Sequence, residues 1–256
     1  MLTVVPLFSS SAGNSFYIKH KKEEILIDAG VSLKMLKTAL CSLDTDIANI
    51  SRIFITHEHI DHIKALETIA KNFSIPIIIN SASANAIDEN KFPTALKHFF
   101  FADHQSEVFT DGMKISVFKT PHDSMGSVGY HIETDDDDSL GYATDIGMVT
   151  KGVAKNLMGC RTVVIESNHD LEMLRCGHYP YYTKARIMSD TGHLSNEACA
   201  KFLPVLVQSG TQNIILAHLS VQNNTPKKAY ICALNSLEQN GISYKDISLK
   251  VAQGEI

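Results

Sequence analysis

The densest chemistry in this 256-residue chain is Thr56-His57-Glu58-His59-Ile60-Asp61-His62, where three imidazoles and a ligand-type carboxylate fall within six residues. Imidazole and carboxylate are the donors that divalent zinc, manganese and iron accept. His57 and His59 are two apart, so in extended chain their rings share a face and can grip one cation. Asp61 and His62 fall where the chain turns and point elsewhere, which suits a second cation nearby. Without such a use, three imidazoles would be an unexplained polar load beside a buried strand.

That strand is Ser51-Arg52-Ile53-Phe54-Ile55, apolar and β-branched. Beyond the cluster Ile63, Leu66, Ile69 and Ala70 recur at helical spacing, placing Asp61 and His62 at or just before a helix N-terminus. The strand-then-ligand pattern repeats along the chain. Met113 to Thr120 delivers Pro121-His122-Asp123, a hairpin of Gly129 to Thr134 and Leu140 to Thr144 ends in Asp145, and Asn213 to Ala217 stops at His218. Val163-Val164-Ile165 runs into Glu166-Ser167-Asn168-His169-Asp170, and Glu24 to Gly30 carries Asp28, expected to orient a ligand loop by hydrogen bonding. Residues 3–8 and 15–19 read as strands around Ser9 to Asn14, a stretch that is either an anion-binding loop or a plain hairpin turn. Ser32 caps a helix with an apolar face of Leu33, Leu36, Leu40 and Leu43, Ser195 or Asn196 caps another, and Pro226 opens the last. Phe99-Phe100-Phe101 reads as core. The run Asp135 to Asp138 reads as a solvated hairpin tip, because it lacks the Gly and later Glu of a calcium loop. With strand and helix alternating and no Pro- or Ser-rich linker, residues 1–256 are expected to form one domain.

At 44% hydrophobic and 20% charged residues, the chain has ample apolar material for a core. Its five cysteines are odd in number and form no C-x-x-C, so neither a disulfide framework nor a thiolate zinc site is indicated, and a cytoplasmic location is expected. The start lacks a basic region, and no stretch approaches the ~20 apolar residues of a membrane span, so neither secretion nor a membrane partner is expected. A net charge of −5 does not suggest a nucleic-acid coat, but it allows a local basic groove.

Asp28, His57 to His62, His122, Asp145 and His218 stand in the order of the five motifs of the metallo-β-lactamase-fold hydrolases, and the chain resembles that family over nearly its whole length. The resemblance implies an α/β (α+β) fold, a four-layer αββα sandwich with its site along one edge of two sheets. It implies two divalent metal ions, zinc or manganese with iron also possible. His57, His59 and His122 would hold one, Asp61, His62 and His218 the other, and Asp145 would bridge them, with Asp61 placed in the catalytic centre. Asp145 stands where the common zinc β-lactamases carry Cys, and a carboxylate there is typical of phosphodiesterase, nuclease and glyoxalase branches. Ser9 to Ser15, Glu166 to Asp170, Gly192 to Asn196 and His218-Leu219-Ser220 with Asn223-Asn224 resemble the YycJ (WalJ) subfamily. That likeness implies a 5′-to-3′ exonuclease whose partner is nucleic acid, DNA rather than RNA. Two cations sharing a water would lower its pKa and stabilise phosphoryl charge. His193 resembles the leaving-group acid of tRNA 3′-processing enzymes, with Glu166 to orient it. Ser10, Asn14, Arg186 and Ser195 are the substrate-binding expectations, Arg186 and Lys184 lying near Tyr179 to Tyr182 where a terminal base could stack. The rival readings are a small-molecule hydrolase of a cyclic phosphodiester or thioester, and an RNA-directed nuclease.

Overall fold

A computed structural model describes residues 1–243 and 245–252. Two sheets face each other. The first runs in chain order through β1 (Thr3–Ser10), β2 (Gly13–His20), β3 (Glu23–Ile27), β4 (Arg52–Phe54), β5 (Ile77–Ile79) and β6 (Phe99–Phe101). The second comprises β7 (Glu107–Phe109), β8 (Met113–Lys119), β9 (Val128–Thr134), β10 (Ser139–Ala143), β11 (Thr162–Glu166), β12 (Asn213–Ala217) and β13 (Ser248–Val251), ordered from β13 back to β7.

The apolar runs read as buried strands have two buried faces, and successive residues serve different layers. Ile53 and Ile77 pack outward with Leu36 and Leu40 of α1 (Leu33–Cys41) and Leu66 and Ile69 of α3 (Leu66–Asn72). Their neighbours Phe54 and Ile78 pack inward with Phe16, Tyr130, Tyr142 and Val164 between the sheets. On the far side Val163, Ile165 and Leu216 meet Leu203 and Leu206 of α8 (Asn196–Gln208) and Leu237 of α9 (Pro226–Gln239). Three apolar layers between helix, sheet, sheet and helix make the αββα sandwich. Parallel pairing aligns strand ends: Ile27 lies beside Phe54, and Ala143, Ile165 and Leu216 share a row. The residues that follow, Asp28, Thr56, Asp145, Glu166 and His218, therefore gather at one edge.

Two local expectations change and two are sharpened. The helix after the histidines is broken into α2 (Ile60–Ile63) and α3, because His62 O accepts Ala29 N (2.8 Å) and Ala65 N donates to Ala29 O (2.9 Å) instead of continuing the spiral. Gly30 is required there, since a Cβ would lie 1.6 Å from Asp61 O. Ser9 to Asn14 is a hairpin turn, with Ser10 paired to Gly13. Phe99 packs against the core but Phe100 and Phe101 do not: β6 is an edge strand, and these two are 58% and 66% exposed. The acidic run does more than meet solvent, since Asp135 Oδ1 lies 2.9 Å from His20 Nε2 and Asp138 Oδ2 accepts Leu2 N (2.8 Å), tying the two sheets together. The described residues also form four further α-helices, α4 (Ser81–Ala86), α5 (Lys151–Leu157), α6 (Leu171–Cys176) and α7 (Tyr181–Ile187), and two short 3-10 turns, Ile47–Asn49 and Ala95–His98. Among the described residues, no helix is long and apolar enough to cross a membrane.

Candidate metal centre

The strand ends bring the expected donors together in two groups. The donor atoms of His57, His59 and His122 lie within 4.8 Å of one another, and so do those of Asp61, His62 and His218. Asp145 stands between them, its Oδ2 3.4 Å from His62 Nε2 and its Oδ1 3.8 Å from His122 Nε2. Whether these residues fit divalent cations is decided by what their polar atoms lack. His57 Nε2, His122 Nε2, His218 Nε2 and Asp145 Oδ2 are all buried with no hydrogen-bond partner among the described residues. Orphaned buried groups of this kind are costly unless something binds them. Four converging on one spot match a cation-binding donor set.

The opposite nitrogens are held. His62 Nδ1 donates to Asp28 Oδ2 (2.7 Å), His218 Nδ1 to Glu166 Oε1 (2.8 Å) and His122 Nδ1 to Gly192 O (3.2 Å), while His57 Nδ1 lies 3.1 Å from Thr56 Oγ1. Fixing Nδ1 sets each ring's tautomer and turns Nε2 toward the cluster. Asp28 is fully buried and also accepts Thr56 N (2.8 Å), which is the orienting role expected of it. Burial raises its carboxyl, a shift that the neighbouring His62 ring partly offsets. Burial also depresses His57, aided by the neighbouring rings, whereas for His62 the carboxylates of Asp28 and Asp145 outweigh burial and hold the ring well above its usual range.

Glu166 is a hub that sequence reasoning saw only in part. Its Oε1 accepts from both His193 Nδ1 and His218 Nδ1, each at 2.8 Å, while its Oε2 accepts Ile146 N (2.8 Å) and Leu194 N (3.1 Å). One buried carboxylate therefore sets His193, His218 and the backbone beside Asp145. The His193 ring centroid lies 5.2 Å from that of His122 and 5.3 Å from that of His218, so this imidazole stands beside both donor groups, its ring hydrogen-bonded at Nδ1 to Glu166.

Three of the residues at this edge adopt left-handed backbone without being glycine: Asp28 (φ 64°), Asp145 (φ 54°) and His218 (φ 55°). Strain of this kind concentrates at functional sites. Sequence gives no direct sign of it.

The substrate-binding expectations are placed unequally. Asn14 Nδ2 stands 3.3 Å from Asp61 Oδ2 and 3.2 Å from His62 Nε2, at the edge of the second donor group. Arg186 Nε donates to Asp123, next to His122. Ser195 Oγ caps α8 by accepting Ala198 N (3.1 Å), and Ser10 Oγ accepts Ala12 N (3.2 Å) inside its own turn, so neither hydroxyl is directed at the donor groups. Sequence reasoning missed Ser9, whose Oγ accepts His218 N (2.8 Å), and Glu58, whose Oε1 accepts Met125 N (2.8 Å) and ties the two histidine loops together. It also missed a buried amide lattice. Asn224 Nδ2 donates to Ser167 O, Asn168 O and Asn196 Oδ1 (each 2.9 Å), and Asn168 Nδ2 donates to His218 O (2.9 Å). The Asn-rich segments that supply it were visible as motifs, but their joining was not.

Comparison with known proteins agrees with this geometry. Residues 23–219 match the family described as the Beta-lactamase superfamily domain. The chain is 35% identical over 237 residues to "Exodeoxyribonuclease YycJ" of Bacillus anthracis, covering 92% of this chain and 89% of that protein. It is 34% identical to "Exodeoxyribonuclease WalJ" of Streptococcus pneumoniae serotype 2, covering 91% and 87%. Its fold is similar to the metallo-β-lactamase fold protein YhfI from Bacillus subtilis, at a TM-score of 0.74 and 14% identity over 100% of this chain and 98% of that one. The strand-end histidines, the carboxylate at Asp145 and the extent of these matches lead to one conclusion: the chain belongs to the β-lactamase superfamily of metallo-β-lactamase-fold hydrolases, in its YycJ/WalJ branch.

Proposed function

We propose that this protein is a 5′-to-3′ exodeoxyribonuclease working with two divalent cations, zinc or manganese. The observation that carries the proposal is the pair of three-donor groups with Asp145 between them and His193, held by Glu166, beside them. His57, His59 and His122 would hold one cation and Asp61, His62 and His218 the other, with Asp145 shared. When bound, such a pair supplies an activated water and neutralises charge on a phosphodiester. The chain's own residues do the rest. Asp28 and Glu166 keep ring nitrogens aimed inward, and Asn14 steadies Asp61. His193, its Nδ1 held by Glu166, presents Nε2 to donate a proton to the leaving oxygen. The curated relatives named as exodeoxyribonucleases support DNA as substrate. Because the donors come from both sheets, we take residues 1–256 as one domain, Tyr244 and 253–256 lying outside the described residues. Five free thiols accord with a cytoplasmic setting.

The test is incubation of purified protein, with manganese or zinc, with end-labelled DNA, end-labelled RNA and bis-p-nitrophenyl phosphate, alongside elemental analysis. The expected result is two metals per chain, at least one of them lost in His59→Ala, and shortening of DNA from its 5′ end. Faster RNA cleavage, or turnover of the small diester alone, would overturn the substrate assignment.

A further inference from the structure

Outside the donor groups, one ion pair stands at the rim. Asp123 follows His122 directly, its Oδ1 3.3 Å from His122 Nε2, and its Oδ2 accepts from Nε of Arg186 on α7. The Arg186 side chain is 62% exposed, and an exposed pair contributes only ~0–1 kcal/mol to folding. Fold stability therefore gives little reason to join segments 63 residues apart. Nor does packing, since α7 buries none of its residues. Among the described residues, Nη1 and Nη2 of Arg186 have no protein partner, so the guanidinium is fixed at Nε and its fork is left open. A planar, anchored fork with free donors suits a phosphate.

Tyr182 lies four residues before Arg186 on the same short helix, hence on the same face, and is 75% exposed. Lys184 is turned to other use, its Nζ donating to Arg175 O (2.7 Å). We infer that the Tyr182 and Arg186 face of α7 is a nucleotide-binding surface. Arg186 takes a backbone phosphate flanking the scissile one, and Tyr182 stacks on a base. Asp123 is the positioning residue that aims the guanidinium at the centre. The inference rests on the nuclease reading and narrows it to a strand with a neighbouring phosphate and base, which a p-nitrophenyl diester lacks.

The test uses the full chain with manganese, comparing wild type with Arg186→Ala, Arg186→Lys, Tyr182→Ala, Asp123→Asn and the Arg186→Ala/Asp123→Asn double variant. Turnover of a labelled oligodeoxynucleotide is compared with turnover of bis-p-nitrophenyl phosphate. Oligonucleotide affinity is read by anisotropy on the metal-loaded protein with a cleavage-resistant phosphorothioate strand across a salt series. In Arg186→Ala the loss of kcat/KM on the oligonucleotide should exceed that on the small diester by about tenfold or more. The slope of log Kd against log salt should flatten by about 0.7, one phosphate contact to a single strand. Arg186→Lys should recover part of the loss. Tyr182→Ala should weaken affinity by roughly tenfold, within the range of one base stack. Asp123→Asn should act in the same direction as Arg186→Ala, and the double variant should add nothing to it, as expected when one residue acts through the other. Wild-type affinity and salt slope in Arg186→Ala, or additive losses in the double variant, would overturn the inference while leaving the nuclease reading in place. Failure of wild type to cleave DNA would instead remove the nuclease reading beneath it.

Discussion

Replacing Glu166 by Gln changes one oxygen to an amide nitrogen, and the structure says what that must do. Each carboxylate oxygen accepts two hydrogen bonds, from two imidazoles on one side and two backbone N–H groups on the other. A glutamine has only one acceptor atom, so its NH₂ must face two donors whichever way it turns. Against Ile146 N and Leu194 N it would strand two buried donors at about 1–3 kcal/mol each. Turned toward the rings it avoids that cost only if both imidazoles move their proton to Nε2. A His218 with its proton on Nε2 no longer offers that atom to a cation, and His193 with a changed tautomer loses its oriented donor. Loss of an outer-shell partner weakens metal affinity by roughly 10–100-fold. His57, His59 and His122 make no hydrogen bond to Glu166, so the expected result is selective: one cation weakened by that factor, the other bound as in wild type. Competition with a chromophoric chelator resolves two such affinities. If both cations bind Glu166→Gln as tightly as wild type and only turnover falls, Glu166 acts through His193 alone and the hub reasoning is wrong.

Two other outcomes follow from the same structure. His193→Ala should slow hydrolysis of DNA by roughly 10²–10⁴-fold with metal content intact, and should slow a p-nitrophenyl diester far less because its leaving group needs no proton; equal losses would show that the ring shapes the site instead. Glu67 accepts Thr94 N (2.9 Å) and Ala95 N (3.0 Å), and although burial opposes it, these bonds and Lys71 draw its carboxyl down to about 2 from 4.5. A depressed folded pKa stabilises above pH 4.5 and that contribution disappears as pH falls toward 2. Glu67→Gln should therefore lower the melting temperature at pH 7, with the gap to wild type narrowing below pH 4.5; a gap independent of pH would contradict the assignment.

Much of the centre was legible because its donors are local in sequence. His57 to His62 announce themselves by density, and His122, Asp145 and His218 by their place just after apolar runs. The same runs revealed the strands, since Ile53-Phe54 or Val163-Val164 can bury both neighbours only between two layers. What could not be read depends on partners far along the chain. Glu166 was assigned one histidine and holds two, because His218 lies 52 residues away. The break between α2 and α3 is dictated by Ala29, in the loop after β3, and Phe99 to Phe101 has the composition of core but an edge position that topology alone decides. Ser195 shows the converse error, a polar residue in a suggestive motif whose hydroxyl caps α8.

The left-handed backbone at Asp28, Asp145 and His218 means that the protein carries its chemistry at the expense of its resistance to unfolding. Glycine is the residue that backbone prefers, and an L side chain there costs of order 1–2 kcal/mol, somewhat less for Asp. Substitution toward Gly relieves that strain at each position, but at Asp28 and His218 it also strips buried hydrogen-bond partners from Thr56, His62 and Glu166, so only at Asp145, whose Oδ2 is buried without a partner among the described residues, does relief come without that loss. A lineage released from the need for catalysis would find such a change at Asp145 favourable for folding, and a screen of variants ranked on thermal tolerance alone would tend to enrich proteins inactive for that reason. Libraries built on this chain to raise stability should therefore hold these three positions constant and seek gains elsewhere.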